Sequence, residues 1–212
     1  MTVLVVDYGM GNLGSVRRAL EECGAEVLVT DHPPDVKLAN RIVLPGVGAF
    51  ADGMAHLERE GWVHALQKAV LEDKLPILGI CLGMQLMMSQ GEEGGQSSGL
   101  GFFEGSVRRM IPAEGERLPH VGWNEIHPCQ AAPSLEETPL LKDILPGTDF
   151  YFVHSYCVKP VDSQVIMAHT PYAGGFPSVI AREHVACVQF HPEKSAQAGF
   201  QILKNFLELS SC

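Results

Sequence analysis

The sharpest chemical signal in the sequence is Gly79-Ile80-Cys81-Leu82-Gly83, set between the apolar run Ile77–Ile80 and a Met/Leu-rich segment with helical spacing to about Met88. Strand, Gly-x-Cys-x-Gly and helix follow one another as in a nucleophile elbow, with cysteine replacing serine. A nucleophile on so tight a turn sits in strained backbone. Glycines two residues to either side remove the side chains that would obstruct it. The helix that follows points unpaired N–H groups and its positive dipole end toward the sulfur. Read alone, the same residues also describe a small buried cysteine between packing glycines.

A cysteine nucleophile needs a base, and the base needs a group to orient it. Of nine histidines, His191 stands out, because it follows the apolar strand Val185–Phe190 directly. Sites in parallel α/β sheets gather at such strand ends. Pro192 stiffens the turn and Glu193 can reach back to the imidazole, so three residues offer a base and its carboxylate. By itself His-Pro-Glu equally describes a solvent-facing turn. The segment Leu44-Pro45-Gly46-Val47-Gly48-Ala49-Phe50 also lies just beyond a strand. Its Gly-rich backbone can aim N–H groups at a developing negative charge, and the amides of Val47 and Leu82 would make a two-donor oxyanion hole. In isolation it too is a turn.

The elements that must position these residues are legible in the apolar pattern. Short strands are predicted at Val3–Val6, Glu26–Thr30, Arg41–Leu44 and Ile77–Ile80, with a helix around Ser15–Leu20 stopped at Gly24 and a mostly helical stretch from Asp52 to Asp73 interrupted at Gly61. Nearly all-apolar strands alternating with helices indicate an α/β fold whose parallel sheet is covered on both faces. After about Gly91 strands follow with little helix between them. They fall near Ser106–Met110, Val121–Ile126, Asp149–His154, Gln164–His169, Ser178–Arg182 and Val185–Phe190. A last amphipathic helix spans Gln197 to Leu209, with Phe200, Leu203, Phe206 and Leu207 at core spacing. We expect one domain, residues 1–212, in which antiparallel strands extend a parallel sheet. Met84, Met87 and Met88 read as helix core rather than a metal or cofactor site.

Composition narrows the function. The 212 residues carry 15 Lys+Arg against 25 Asp+Glu, with 46% hydrophobic and 19% charged residues. That is a globular composition, and its acidity argues against a nucleic-acid backbone binder. No apolar run reaches the ~18–20 residues of a membrane span. The N-terminus lacks a basic segment and turns acidic at Asp7, so we read no signal peptide. The six cysteines, Cys23, Cys81, Cys129, Cys157, Cys187 and Cys212, make no Cys-x-x-Cys pair. They are expected as reduced thiols of a cytoplasmic protein, with no metal. One decoy stands in the way: Gly9-Met10-Gly11-Asn12-Leu13-Gly14 is a literal G-x-G-x-x-G after the first strand, with Asp31 ending the second. Asp7 at the strand end would repel a pyrophosphate, and that reading gives the cysteine and histidine no role. We therefore take the segment as a turn.

On these residues the chain resembles the class I (triad) glutamine amidotransferases, over essentially its whole length. The landmarks are Asp7–Asn12, Leu44–Phe50, Gly79–Gln85, Val121-Gly122-Trp123-Asn124, Phe152-Val153-His154-Ser155-Tyr156 and Gln189–Ser195. The opening glycine loop, Pro-Gly-Val-Gly and Gly-Trp-Asn make it similar, more narrowly, to the glutaminase subunits of imidazole glycerol phosphate synthases of histidine biosynthesis. The resemblance implies a flavodoxin-like class I amidotransferase fold, with a mostly parallel central sheet, helices on both faces and an added antiparallel sheet in the C-terminal half. It implies Cys81 as nucleophile, His191 as base and Glu193 as its partner, with no cofactor. Gly48, Gln85, Glu93 (placed about two turns beyond Gln85), Ser155 and Tyr156 match glutamine-binding positions. Trp123 and Asn124 match an interface with a (β/α)₈-barrel cyclase subunit, which receives ammonia through a tunnel in the heterodimer. The Pro45–Gly48 segment is expected to reorient on activation. Departures are Cys157, where a second aromatic is frequent, and Glu104, where proline is common.

Three other readings share parts of this pattern. The chain could be the glutaminase of another synthase, such as those of anthranilate or vitamin B6 synthesis. It could be a flavodoxin-like binding module with a structural cysteine, or a stand-alone thiol hydrolase. Thioester formation and dependence on a partner separate the four.

Overall fold

The computed structural model describes residues 1–129 and 139–209. The chain opens with β1 (Thr2–Val6), α1 (Leu13–Glu22), β2 (Glu26–Thr30) and β3 (Arg41–Gly46). Helices α2 (Phe50–Arg59) and α3 (Trp62–Gln67) follow, then β4 (Ile77–Cys81) and the short α4 (Leu82–Leu86). Helix α1 ends where the sequence placed its stop. Gly24, at φ 89°, bonds Glu21 O while Ala25 bonds Leu20 O, the paired closure that a left-handed glycine permits. Gly61, at φ 79°, separates α2 from α3, and α3 continues as a π-turn over Lys68–Glu72.

The C-terminal half supplies β5 (Met88–Gly91), β6 (Ser97–Ser98), β7 (Phe103–Arg109), β8 (His120–Pro128), β9 (Thr148–His154) and β10 (Tyr156–Pro160). It closes with β11 (Ile166–Thr170), β12 (Phe176–Arg182), β13 (Val185–Val188) and α5 (Ala196–Glu208). Among the described residues one sheet has the order β2-β1-β3-β4-β13-β12-β11-β8-β9. Its first five strands are parallel, and from β12 outward every pairing is antiparallel. The expected antiparallel addition is thus a continuation of the parallel sheet. A second sheet, β10-β7-β5-β6, lies beside it.

Strand alternation divides the interior into two cores. Val3, Val5, Val43, Leu78 and Ile80 face one side, where α1 and α5 pack through Val16, Leu20, Ile202, Leu203 and Phe206. Leu4, Val6, Ile42, Leu44 and Ile77 face the other, against Phe50, Leu57, Trp62 and Leu86 of α2, α3 and α4. Burial on both faces is why these strands read as unbroken apolar runs.

The pattern misled in one place. The helix expected to reach Met88 stops at Leu86, and Met88–Gly91 becomes a strand pairing with β6 and β7. Apolar spacing fits a buried strand as well as a helix, and tertiary pairing decides between them. Strands β6 and β10 were not foreseen. The five described cysteines are all free; Cys212 lies outside the described residues. No described helix is long and apolar enough to cross a membrane.

Candidate active site

Cys81 ends β4 at φ 54° and ψ −108°, a conformation a non-glycine residue holds only under strain. The elbow is as tight as the glycine spacing required. A Cβ on Gly83 would collide with the Leu44 carbonyl oxygen, and one on Gly79 would lie 2.9 Å from the Met84 nitrogen. Parallel register then decides the neighbours of Cys81. Gly46 of β3 is its direct partner, and Val188 of β13 partners Ile80. The Leu44–Phe50 segment and the chain leading to His191 therefore leave the sheet on either side of the sulfur.

His191 is buried, and its Nδ1 lies 2.9 Å from Oε1 of Glu193, whose side chain is equally buried. With Nδ1 engaged, Nε2 is left to face Cys81. Burial alone would lower the His191 pKa. Hydrogen bonds to Cys81 and Glu193, and the negative charge of both, overcome this and raise it to about 10. The second Glu193 oxygen is buried without a partner among the described residues, so the carboxylate's charge is directed at the imidazole. Cys81 Sγ also lies 3.7 Å from the Val153 carbonyl oxygen, a contact open to the thiol. With the shared proton on His191, the sulfur is an acceptor instead.

Ser195 had no role in the sequence reading, yet it anchors His191. Its hydroxyl donates to His191 O at 2.6 Å and accepts from Tyr151 N at 3.0 Å, while His191 N bonds Tyr151 O. Tyr8 was likewise missed as an individual residue. Its phenol is buried, has no hydrogen-bond partner among the described residues, and packs where a Cβ on Gly46 would stand. Burial, then the charge of Cys81, pushes the Tyr8 pKa up.

Above the sulfur lies a cavity of about 380 Å³, within the range of small-ligand sites. Val47, Gly48, Leu82, Gln85, Glu93, Ser155 and Tyr156 all line it with Cys81 and His191. Every residue matched to glutamine binding is present, although Glu93 arrives by another route than expected. It comes from the turn after β5, not from a continued helix, and its Oε2 accepts from Phe50 N at the start of α2. Burial raises its pKa, the Phe50 amide opposes this, and Asp52 adds to it. Gly48 holds φ 115°, and a Cβ there would lie 2.6 Å from Met10 Cε.

Trp123 and Asn124 stand outside the cavity and face opposite ways, as strand alternation requires. Trp123 is 55% exposed, with Val121 and Val153 exposed near it on the paired strands β8 and β9. Asn124 instead reaches His120, opening a relay that sequence reading did not anticipate. His154 Nδ1 is 2.8 Å from the Tyr156 carbonyl, so it must donate; His154 Nε2 then accepts from His120 Nδ1 at 3.1 Å. His120 Nε2 accepts in turn from Asn124 Nδ2 at 3.2 Å. Both rings are neutral in this arrangement. Burial lowers the His154 pKa to about 3 despite the Tyr156 carbonyl, and burial lowers that of His120.

The G-x-G-x-x-G segment lacks the packing a dinucleotide fingerprint needs. Its third glycine should admit a close helix–strand approach, but a Cβ on Gly14 would meet nothing within 4 Å. The Asp7 carboxylate accepts from Gly9 N and occupies the turn with negative charge.

The profile of the glutamine amidotransferase class-I family matches residues 4–209. The chain belongs to that family. Among curated members, the imidazole glycerol phosphate synthase subunit HisH of Moorella thermoacetica is 48% identical over 208 residues, covering 98% of this chain and 94% of its own. The subunit of the same name from Chloroflexus aurantiacus is 46% identical, covering 98% and 96%. In three dimensions this amidotransferase resembles a crystal structure of a glutamine amidotransferase, with TM-score 0.74, 18% identity and 97% of both chains covered. It also resembles the PurLQS structure from Thermotoga maritima, with TM-score 0.71, 19% identity and the same coverage. At those identities the likeness shows the fold, which is that of the class I amidotransferases.

Proposed function

We propose that this chain is the glutaminase subunit of an imidazole glycerol phosphate synthase, releasing ammonia from glutamine for a cyclase subunit in histidine biosynthesis. The observation that carries the chemistry is the buried Cys81–His191–Glu193 set at the floor of a glutamine-sized cavity. With the shared proton on His191, Cys81 Sγ adds to the side-chain carbonyl carbon of glutamine. The amides of Val47 and Leu82 receive the oxyanion. His191 Nε2 gives its proton to the amide nitrogen, the C–N bond breaks, and ammonia leaves a γ-glutamyl thioester. Neutral His191 then takes a proton from water, whose oxygen adds to the thioester. Glutamate departs and the starting charge pair returns.

The neighbouring groups fit a free amino acid as substrate. Glu93 offers a carboxylate for the α-ammonium. The Gln85 amide nitrogen is held by Tyr156 O and Gln189 Oε1, which leaves its oxygen for the ligand. Gly48, Ser155 and Tyr156 complete the wall.

Ammonia released into bulk water would be protonated, so a partner must receive it. Val121, Trp123 and Val153 form an exposed apolar face on β8 and β9, and Val153 also lines the cavity. A partner docked there sits at the mouth of the site, and a (β/α)₈-barrel cyclase subunit is the occupant we propose, in the cytoplasm, with Asn124 beside the contact. The unit is read as one domain. The test is glutaminase activity of wild type and Cys81→Ala, with and without the cyclase subunit loaded with its acceptor. We expect weak turnover by the chain alone, strong stimulation by the loaded partner and none from Cys81→Ala. Equal, robust turnover without a partner would overturn the subunit reading.

A further inference from the structure

The run Val185-Ala186-Cys187-Val188-Gln189-Phe190 is apolar except for Gln189, which is fully buried. A polar side chain in such a run must be paired, and its partners fix its orientation. Gln85 Nε2 lies 3.0 Å from the Tyr156 carbonyl oxygen, which only accepts, so this end of Gln85 is the nitrogen. The same nitrogen lies 3.1 Å from Gln189, so the Gln189 atom facing it is the oxygen. The other end of Gln189 is therefore the –NH₂ group, and it lies 3.8 Å from Cys81 Sγ. Reversing Gln85 would set its oxygen against two acceptor oxygens, and reversing Gln189 would set donor against donor.

Strand register explains why this residue can reach. Val188 partners Ile80, so Gln189 stands beside Cys81 across the β13–β4 pair. The Tyr156 carbonyl that anchors Gln85 also accepts from His154 Nδ1. Hydrogen bonds thus run without a break from the sulfur through Gln189, Gln85, Tyr156, His154 and His120 to Asn124 on β8.

We propose that Gln189 is a positioning residue for the glutaminase reaction, its locked amide holding the Cys81 sulfur in line and donating to it as negative charge gathers there. This rests on the reading of Cys81 as nucleophile. The donor complements His191, which holds the proton the sulfur has lost. It approaches along the sheet, so substrate entering from the cavity does not displace it. The titratable groups around the sulfur are Tyr8 from the turn after β1, His154 from β9, and His191 with Glu193 after β13; Glu93 and Lys194 stand at the cavity wall. None of these contributes an amide donor.

Two substitutions test the assignment in the full chain, with iodoacetamide alkylation of Cys81 followed by peptide mass spectrometry alongside partner-stimulated glutamine turnover. Gln189→Met keeps the length and removes both hydrogen bonds. Gln189→Glu keeps the oxygen that accepts from Gln85 and replaces the donor by a second oxygen. At pH 8 both should alkylate and turn over roughly 10-fold more slowly, with the glutamine KM within about twofold of wild type. Wild-type rates in Gln189→Glu, whatever Gln189→Met does, would overturn the proposal and leave Gln189 a packing partner of Gln85. If Gln189→Met fails to fold, Gln189→Glu decides alone. Activity surviving in Cys81→Ala would instead reject the nucleophile itself.

Discussion

Gly46 and Cys81 are register partners on adjacent parallel strands, so the Leu44–Phe50 segment and the Cys81 elbow leave the sheet side by side. Beneath this pair lies the buried Tyr8 phenol, packed so closely that only glycine fits at position 46. One crowded corner of the sheet thus fixes the backbone amides and the sulfur relative to each other.

Tyr8→Phe should stabilise the protein. The phenol oxygen is buried without a partner among the described residues, a condition that costs on the order of 1–3 kcal/mol. Urea unfolding should give a midpoint shifted upward with an unchanged slope. A lower midpoint would mean that the hydroxyl is bonded in solution.

At position 81 glycine should be tolerated at least as well as alanine. Elsewhere the exchange of alanine for glycine loses about 0.5–1 kcal/mol, but Cys81 holds a positive φ of 54°. Relief of that strain, of order 1–3 kcal/mol, offsets the added freedom of the unfolded chain. Thermal unfolding of Cys81→Gly and Cys81→Ala should place the glycine variant equal or higher, with both inactive. A glycine variant melting several degrees lower would show that the elbow is relaxed.

Glu193→Gln should leave the fold in place and lower kcat by roughly 100-fold or more, as when an orienting carboxylate behind a catalytic histidine is neutralised. Among the described residues the carboxylate makes a single bond, to His191 Nδ1, and an amide can present either oxygen or nitrogen there. Steady-state kinetics with the partner present should show the loss in kcat with little change in KM. A rise in KM with kcat unchanged would move Glu193 from the base to the substrate.

Much of this arrangement was legible before any coordinates. The strands leading to Cys81 and His191 are buried on both faces, which makes them apolar runs, with Gln189 the one polar residue between β13 and His191, that end beside the two side chains. Gly79 and Gly83 are the elbow's steric requirement written as sequence. What stayed hidden depends on pairing across the chain. Met88–Gly91 has no local feature that favours strand over helix until β7 lies beside it. Ser195 and His154 look like ordinary turn and strand residues until Tyr151 and Tyr156 supply their partners. Gln189 did leave a trace, as the lone polar residue of an apolar run, but only register aims it at the sulfur.

Stability should fall on both sides of neutrality, for different histidines. Folded His154 titrates near 3 against 6.5 unfolded, so the unfolded chain binds a proton that the folded chain refuses, and stability is lost as pH falls from 6.5 toward 3. His191, raised to about 10, stabilises fully below 6.5 and loses that contribution as pH rises toward 10. Urea unfolding across pH should give a shallower acid limb for His154→Gln and a shallower alkaline limb for His191→Gln. Interchanged or unaltered limbs would contradict the assigned environments.

Trp123→Ala should separate docking from folding. The ring is 55% exposed and its one aromatic neighbour among the described residues, Tyr151, lies edge-on at 6.1 Å, so little core packing depends on it. The melting temperature should stay within about 2 °C of wild type, since exposed substitutions change stability by only about 0.5 kcal/mol. An aromatic anchor at the centre of an interface is worth about 2 kcal/mol or more, which corresponds to a partner affinity weakened roughly 30-fold. Calorimetric titration with the cyclase subunit measures this directly. Basal alkylation of Cys81 by iodoacetamide should not change, because the ring lines no part of the cavity. Unchanged affinity would move the docking face away from β8 and β9, and with it the route proposed for ammonia.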